Sequence, residues 1–99
     1  MLIHKHRMSI TPSSGDGSAN TLKFSGGLLT QIFTQATTST NIYDVALVDE
    51  DNDTIFEIEA IEGGTEEHSV YLPFRGIYTV QVNDATVDEP IVVKLLVEE

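Results

Sequence analysis

Cysteine is absent from this chain. Disulfide staples and thiolate metal clusters are therefore excluded, and a packed core or an oligomer must supply all the stability. Tryptophan is absent too, and only five Lys and Arg stand against 16 Asp and Glu, a formal net charge of −11. Nucleic-acid binding depends on clustered Lys and Arg that displace counterions, so a nucleic-acid partner is excluded. No apolar run approaches the ~18 residues of a membrane-crossing helix, and no membrane partner is expected. The opening "MLIHKHRMSITP" carries charges inside its apolar stretch, unlike a secretory signal, so no targeting segment stands out.

Ninety-nine residues suffice for one core and not for two. The charge is unevenly spread. Residues 1–43 hold Lys5, Arg7 and Lys23 against Asp16 alone, while residues 44–99 hold Arg75 and Lys94 against the other 15 acids. An acidic body stays dispersed and can steer towards a basic partner surface.

What is present is period-two alternation rich in β-branched residues, the signature of strands. Leu2, His4, His6, Met8 and Ile10 share one face of a first strand that ends at Pro12. "SSGDGSAN" (13–20) reads as a loop, 21–24 as a strand, and "SGG" (25–27) as its break. "LLTQIFTQ" (28–35) has the length of a short helix or a strand, and its central β-branched and aromatic residues favour strand; "ATTSTN" (36–41) is too polar and turn-prone for a core. "IYDVALV" (42–48) puts Tyr43, Val45 and Leu47 on one side. "DEDND" (49–53) turns the chain into "TIFEIEAI" (54–61), where Phe56, Ile58 and Ala60 oppose Ile55, Glu57 and Glu59. After the turn "EGGTEE" come strands at "HSVYLP" and "GIYTVQV" (76–82), the turn "NDATVDEP", and a last strand "IVVKLLVEE". No helix of ten or more residues is expected.

Seven or eight short strands at this spacing predict an all-β fold, a β-sandwich or a small barrel; the reading adopted is a single antiparallel β-sandwich, immunoglobulin-like or jelly-roll-like. Residues 1–12 form an N-terminal arm or strand and 13–99 the sandwich. "RGIYTV" (75–80) matches the corner at which such chains cross between sheets, the glycine permitting the bend and the tyrosine burying its ring while its hydroxyl bonds nearby backbone. The last strand is apolar on both sides, with Ile91, Val93, Leu95 and Val97 on one and Val92 and Leu96 on the other. A strand with one wet face alternates more cleanly, so a loop or another chain is expected on the second face. The first strand, basic on an acidic body, pairs within its own domain or reaches a neighbour by strand addition. The expected protein interface is Leu2, His4, His6, Met8, Ile10, Val92 and Leu96.

Sites for chemistry are sparse. His4 and His6 are candidate metal ligands, with His68 as a possible third, because neutral imidazole suits zinc and other transition metals. Asp49, Asp51 and Asp53 have the 1, 3, 5 spacing of a calcium loop, but Thr54 stands where the glycine belongs and Ala60 where the bidentate glutamate belongs. Both sets read more simply as polar terminal residues and a solvated hairpin tip, so no metal and no cofactor is assigned. No nucleophile elbow and no phosphate loop occurs, and Glu57 beside Glu59 reads as a solvated pair; the expectation is that the protein is not an enzyme. Tyr43, Phe56, Tyr71, Phe74 and Tyr78 are a conceivable sugar platform, though aromatics at alternating strand positions usually belong to a core.

The runs "FSGGLLTQIFTQATTSTNIYDVALVDEDND" (24–53) and "LPFRGIYTVQVNDATVDEPIVVKLLVEE" (72–99) resemble small structural proteins of tailed bacteriophages, through a "GGLL" strand, a Thr/Ser-rich link into "YDV" and acidic residues, and a "GIYTV" strand before the last one. The resemblance covers about two-thirds of the chain. The basic N-terminal stretch departs from the group's pattern. The resemblance implies a virion component without catalytic residues, foremost a capsid cement or decoration protein that stabilises the head through protein contacts. The implied partners are the major capsid protein or another virion protein, together with copies of itself. The alternatives are a tail or neck component, or a carbohydrate-binding sandwich for host attachment.

Overall fold

The computed structural model describes residues 2–99, and no helix occurs among them. Eight strands follow in order: β1 (Ile3–Ile10), β2 (Gly17–Asn20), β3 (Leu28–Ala36), β4 (Ile42–Val48), β5 (Thr54–Glu62), β6 (Gly64–Pro73), β7 (Thr79–Asn83) and β8 (Ile91–Glu98). They form two four-stranded sheets, β1-β8-β3-β6 and β2-β7-β4-β5. All pairings are antiparallel. The pairs β1·β8, β2·β7, β3·β6 and β4·β5 are those of one long hairpin. The further pairs β3·β8 and β4·β7 appear when that hairpin is rolled up on itself. This is the jelly-roll order, which selects one of the two sandwich topologies expected from the sequence.

Alternation explains the core. Ile91, Val93, Leu95 and Val97 of β8 are all fully buried, as are Tyr43, Val45 and Leu47 of β4 and Val80 and Val82 of β7. Burying a side chain of this kind favours folding by about 1.5–3 kcal/mol, so the four inward residues of β8 contribute roughly 6–12 kcal/mol before chain entropy is counted. The register shifts at one place in β3 and at two along the β4·β5 pair. Between Leu29 and Gln31 the register shifts by one residue, which lets Leu29 and Ile32, three apart, both face inward. In β5, Glu59 and Ala60 together oppose Asp44, and Ala60 takes φ 55 with its N–H donating to Asp44 Oδ1 at 2.8 Å. Ala60 is therefore exposed and Ile61 takes its place in the core, a correction to the sequence reading.

Three other expectations are corrected. Residues 17–20, read as loop, form β2 and pair with β7, whereas 21–24 contributes only the bridge Phe24–Gly76. Backbone pairing at an edge needs no apolar side chains. Gly17 serves by its smallness, because a Cβ there would come within 2.9 Å of Ile10 Cγ2. The polar link 36–41 is partly interior: Ala36 and Asn41 are buried. Asn41 donates from Nδ2 to Val87 O and Glu89 Oε1, both at 3.2 Å, and accepts from Val87 N at Oδ1 (3.1 Å). Glu89 also accepts from Thr38 N (2.9 Å) and Thr38 Oγ1 (2.6 Å). Asn41 enters the interior because both ends of its amide find partners, which side-chain type alone does not reveal. Finally, β6 starts at Gly64, so the "TEE" of the expected turn is already strand.

The corner at 75–80 has the expected construction. Gly76 adopts φ 92, and Tyr78 Oη accepts from Arg75 N at 2.8 Å. The Tyr78 ring lies on Phe74, with centroids 3.8 Å apart and planes 6° from parallel. Thr21 Oγ1 accepts from Tyr78 N at 3.0 Å, and Glu50 Oε1 accepts from Ile77 N at 2.8 Å, tying the β4–β5 hairpin to the corner.

Tyr78→Phe keeps the stacked ring and orphans the Arg75 N–H, and is expected to cost about 1 kcal/mol, measured as a lower urea midpoint at unchanged m-value. A second prediction concerns acid. Hydrogen bonds from the Thr38 hydroxyl and backbone N–H hold the Glu89 carboxyl below its ordinary range. A lowered folded-state pKa gives a contribution that is complete above the unfolded value of about 4.3 and fades as pH falls through the folded value. The stability gap between wild type and Glu89→Gln is thus expected to be widest near neutrality and to narrow below about pH 4, read from urea midpoints across that range.

Candidate functional site

The outer side of the β1-β8-β3-β6 sheet is built from the residues that alternate with the core. Register sets them in rows across the four strands: Ile3–Glu98–Leu28–Pro73, Lys5–Leu96–Gln31–Ser69, Arg7–Lys94–Phe33–Glu67 and Ser9–Val92–Gln35–Thr65. Val92, Lys94, Leu96 and Phe33 are half-buried by their neighbours alone. Val92 and Leu96, expected at an interface, lie at the centre of this face. Over Phe33, Val92, Lys94 and Gln35 there is a depression of ≈ 40 Å³. A small-molecule site needs about 300 Å³ or more, so the face is shaped for a broad, flat contact.

Its charge is out of keeping with the rest of the molecule. Lys5, Arg7 and Lys94 are three of the five Lys and Arg in the chain, and they outnumber Glu67 and Glu98, the acids in the same rows. The ion pairs among the described residues are His4–Glu99 and His68–Glu66, so none of these three cations has a carboxylate within 4.0 Å. Arg7 and Lys94 are direct cross-strand partners. Like charges placed opposite one another destabilise a sheet.

The cationic surface continues round the free edge of β1. A groove of ≈ 340 Å³ is lined by His4, Lys5, His6, Leu22, Lys23, Phe24 and Glu99. Within it His4 Nε2 lies 2.9 Å from Glu99 Oε2, and His6 meets the Phe24 ring edge-on at 5.9 Å. Leu22 is 71% exposed at the groove and Leu2 60% exposed beyond the end of β1.

The remaining sequence candidates fall as follows. Met8 and Ile10, expected at a protein interface, are buried in the chain's own core, because β1 pairs along its whole length with β8 of the same chain. The arm is thus an integral strand of the sandwich. His68 does not join His4 and His6: it shares a row with His6 across Leu95 and Ile32, three strand spacings away, about 14 Å. The carboxylate oxygens of Asp49, Asp51 and Asp53 do gather within 4.8 Å of one another. Asp49 Oδ1 accepts the N–H groups of Asp51 (3.0 Å) and Asp53 (2.9 Å), and Asn52 takes φ 64, so the cluster is the framework of a tight turn. Of the five aromatics, Tyr43, Phe74 and Tyr78 are buried and Phe56 half-buried, while Tyr71 is 79% exposed; they form no shared platform.

The opposite broad face, on the β2-β7-β4-β5 sheet, is acidic. Its rows read Ser18–Gln81–Ala46–Glu57 and Asn20–Thr79–Val48–Thr54, with Glu59 and Asp44 adjoining. The Glu57 carboxyl is raised above its ordinary range by desolvation and then by the charges of Glu59 and Asp44. Sequence reasoning found Val92 and Leu96 but missed Lys5, Arg7, Phe33 and Lys94 as members of one surface. Alternation shows that each points away from the core; only register makes them neighbours.

No protein-family model matches the chain, and no curated protein matches it significantly.

Asp49→Ala, which removes the acceptor of the turn, is expected to lower stability by about 1 kcal/mol, whereas Asp49→Asn, which keeps it, is expected to remain close to wild type; thermal or urea midpoints of the two variants decide.

Proposed function

We propose that this chain is a structural protein of a bacteriophage virion, most directly a capsid cement or decoration protein, which acts by presenting the outer face of its β1-β8-β3-β6 sheet to other virion proteins. One observation carries the reading: on a body of net charge −11, that open face combines half-buried Phe33, Val92 and Leu96 with three cations that have no carboxylate within 4.0 Å. Apolar area flanked by unpaired charge is the composition of a protein-docking surface, where burial supplies affinity and charge supplies orientation. The phage assignment rests on the sequence resemblance. The jelly roll is in keeping with it by fold-level analogy, since capsid domains use this topology, as lectins also do. Docking on a shell would stabilise both partners by mass action, and the major capsid protein is the proposed partner. The role needs no catalytic residue and no cofactor.

Carbohydrate attachment is the second reading, favoured by Tyr71 alone, whose exposed ring could stack on a sugar. A reproducible glycan-array signal abolished by Tyr71→Ala would replace the docking role with this one.

Deleting the N-terminal segment would remove Met8 and Ile10 from the core, so the test uses substitutions on the face. Purified protein is sedimented with shells assembled from the major capsid protein of the proposed virion. Val92→Thr with Leu96→Thr places strand-favouring β-branched residues at both positions while withdrawing roughly 1–2 kcal/mol of apolar contact, and is expected to reduce bound protein about tenfold. Equal binding by wild type and variant, or none by wild type, overturns the proposal.

A further inference from the structure

Each broad face of the sandwich carries an excess of one sign of charge, and the two excesses lie on opposite sides of the slab. One side presents Lys5, Arg7 and Lys94 around Phe33 and Leu96, with Glu67 on its β6 edge and Glu98 at the end of β8. The other presents Glu57, Glu59 and Asp44 around Ala46 and Gln81, with no Lys or Arg in its rows. Neither set has a counterion within 4.0 Å, because the ion pairs among the described residues are His4–Glu99 and His68–Glu66. The arrangement has a symmetry consequence. A two-fold contact through either broad face would bring like excesses of charge together. A head-to-tail contact brings unlike faces together.

We propose that the chain associates with copies of itself head to tail, the cationic–apolar face of the β1-β8-β3-β6 sheet of one copy docking on the acidic outer face of the β2-β7-β4-β5 sheet of the next. This rests on the docking role, that the face is a protein-contact surface, and sets a second copy in competition with the capsid protein for it. Four strands about 4.8 Å apart and eight residues of about 3.3 Å each give a patch of roughly 500 Å². Two such patches bury about 1,000 Å², the lower end of specific interfaces, so a single contact is weak and association depends on concentration. The net charge of −11 opposes association. Screening beyond about 8 Å at physiological ionic strength leaves the groups in the interface to decide the outcome. Because the contact is heterologous, it produces rings where the rotation closes and open runs where it does not.

The test is a reciprocal charge swap on the full chain, followed by sedimentation velocity from micromolar to millimolar protein, with far-UV circular dichroism and thermal melts to establish that each variant folds. Wild type is expected to show concentration-dependent species larger than the monomer. Arg7→Glu with Lys94→Glu makes both faces acidic, Glu57→Lys with Glu59→Lys makes both basic, and each double variant alone is expected to stay monomeric. Mixed in equal amounts the two restore complementary faces, and larger species are expected to return. A wild type that stays monomeric throughout, double variants that associate as wild type does, or a mixture that fails to assemble where wild type succeeds would each overturn the proposal. Should wild type be monomeric while Arg7→Glu with Lys94→Glu loses binding to capsid shells, the docking role stands and the self-pairing falls. Loss of neither association nor shell binding in that variant removes both.

Discussion

The double pairing of β8 is the constraint on which the rest of the structure depends. This strand lies between β1 and β3, so both of its edges are hydrogen-bonded, and its inward residues Ile91, Val93, Leu95 and Val97 are fully buried. Since β8 closes against the first strand, the chain ends are brought together: Leu2 and Glu99 exchange backbone hydrogen bonds of 3.1 and 2.8 Å. The roll is thereby fastened without a disulfide. Its long-range pairing also fixes which outward residues of β1, β8 and β3 become neighbours.

That register accounts for the clustering of cations. Lys5, Arg7 and Lys94 come from opposite ends of the chain and meet because β1 and β8 are antiparallel partners. Acidic residues follow a different logic. Asp49 and Glu89 are used internally, as acceptors for backbone N–H groups at turns and loops, where a carboxylate satisfies donors that no strand partner reaches. Asp44 accepts from Ala60 N at a bulge. Glu57 and Glu59 have no such task, and their crowding on one face adds to the separation of charge across the slab.

Edge strands show the same economy. β2 is four residues long, β5 is bent by its bulge, β6 carries Glu66 and Glu67 and ends at Pro73, and β1 carries Lys5 and Arg7. Short length, bulges, charge and proline are the usual guards against uncontrolled edge pairing. Such guards favour contact through a sheet face over addition of a further strand.

Composition and periodicity by themselves determined the all-β class, the absence of helices, the inward set of β4, β7 and β8, and the tyrosine corner, because each follows from local chemistry: alternation, a glycine where φ is positive, a ring followed by a hydroxyl. The jelly-roll order, the bulges that place Ile32 and Ile61 inside, the interior role of Asn41 and Glu89, the pairing of β1 within its own chain, and the meeting of Arg7 with Lys94 were decided only by tertiary structure. These depend on register between strands far apart in sequence. A shift of one residue exchanges the two faces of a strand, and no local pattern records which neighbour it will have.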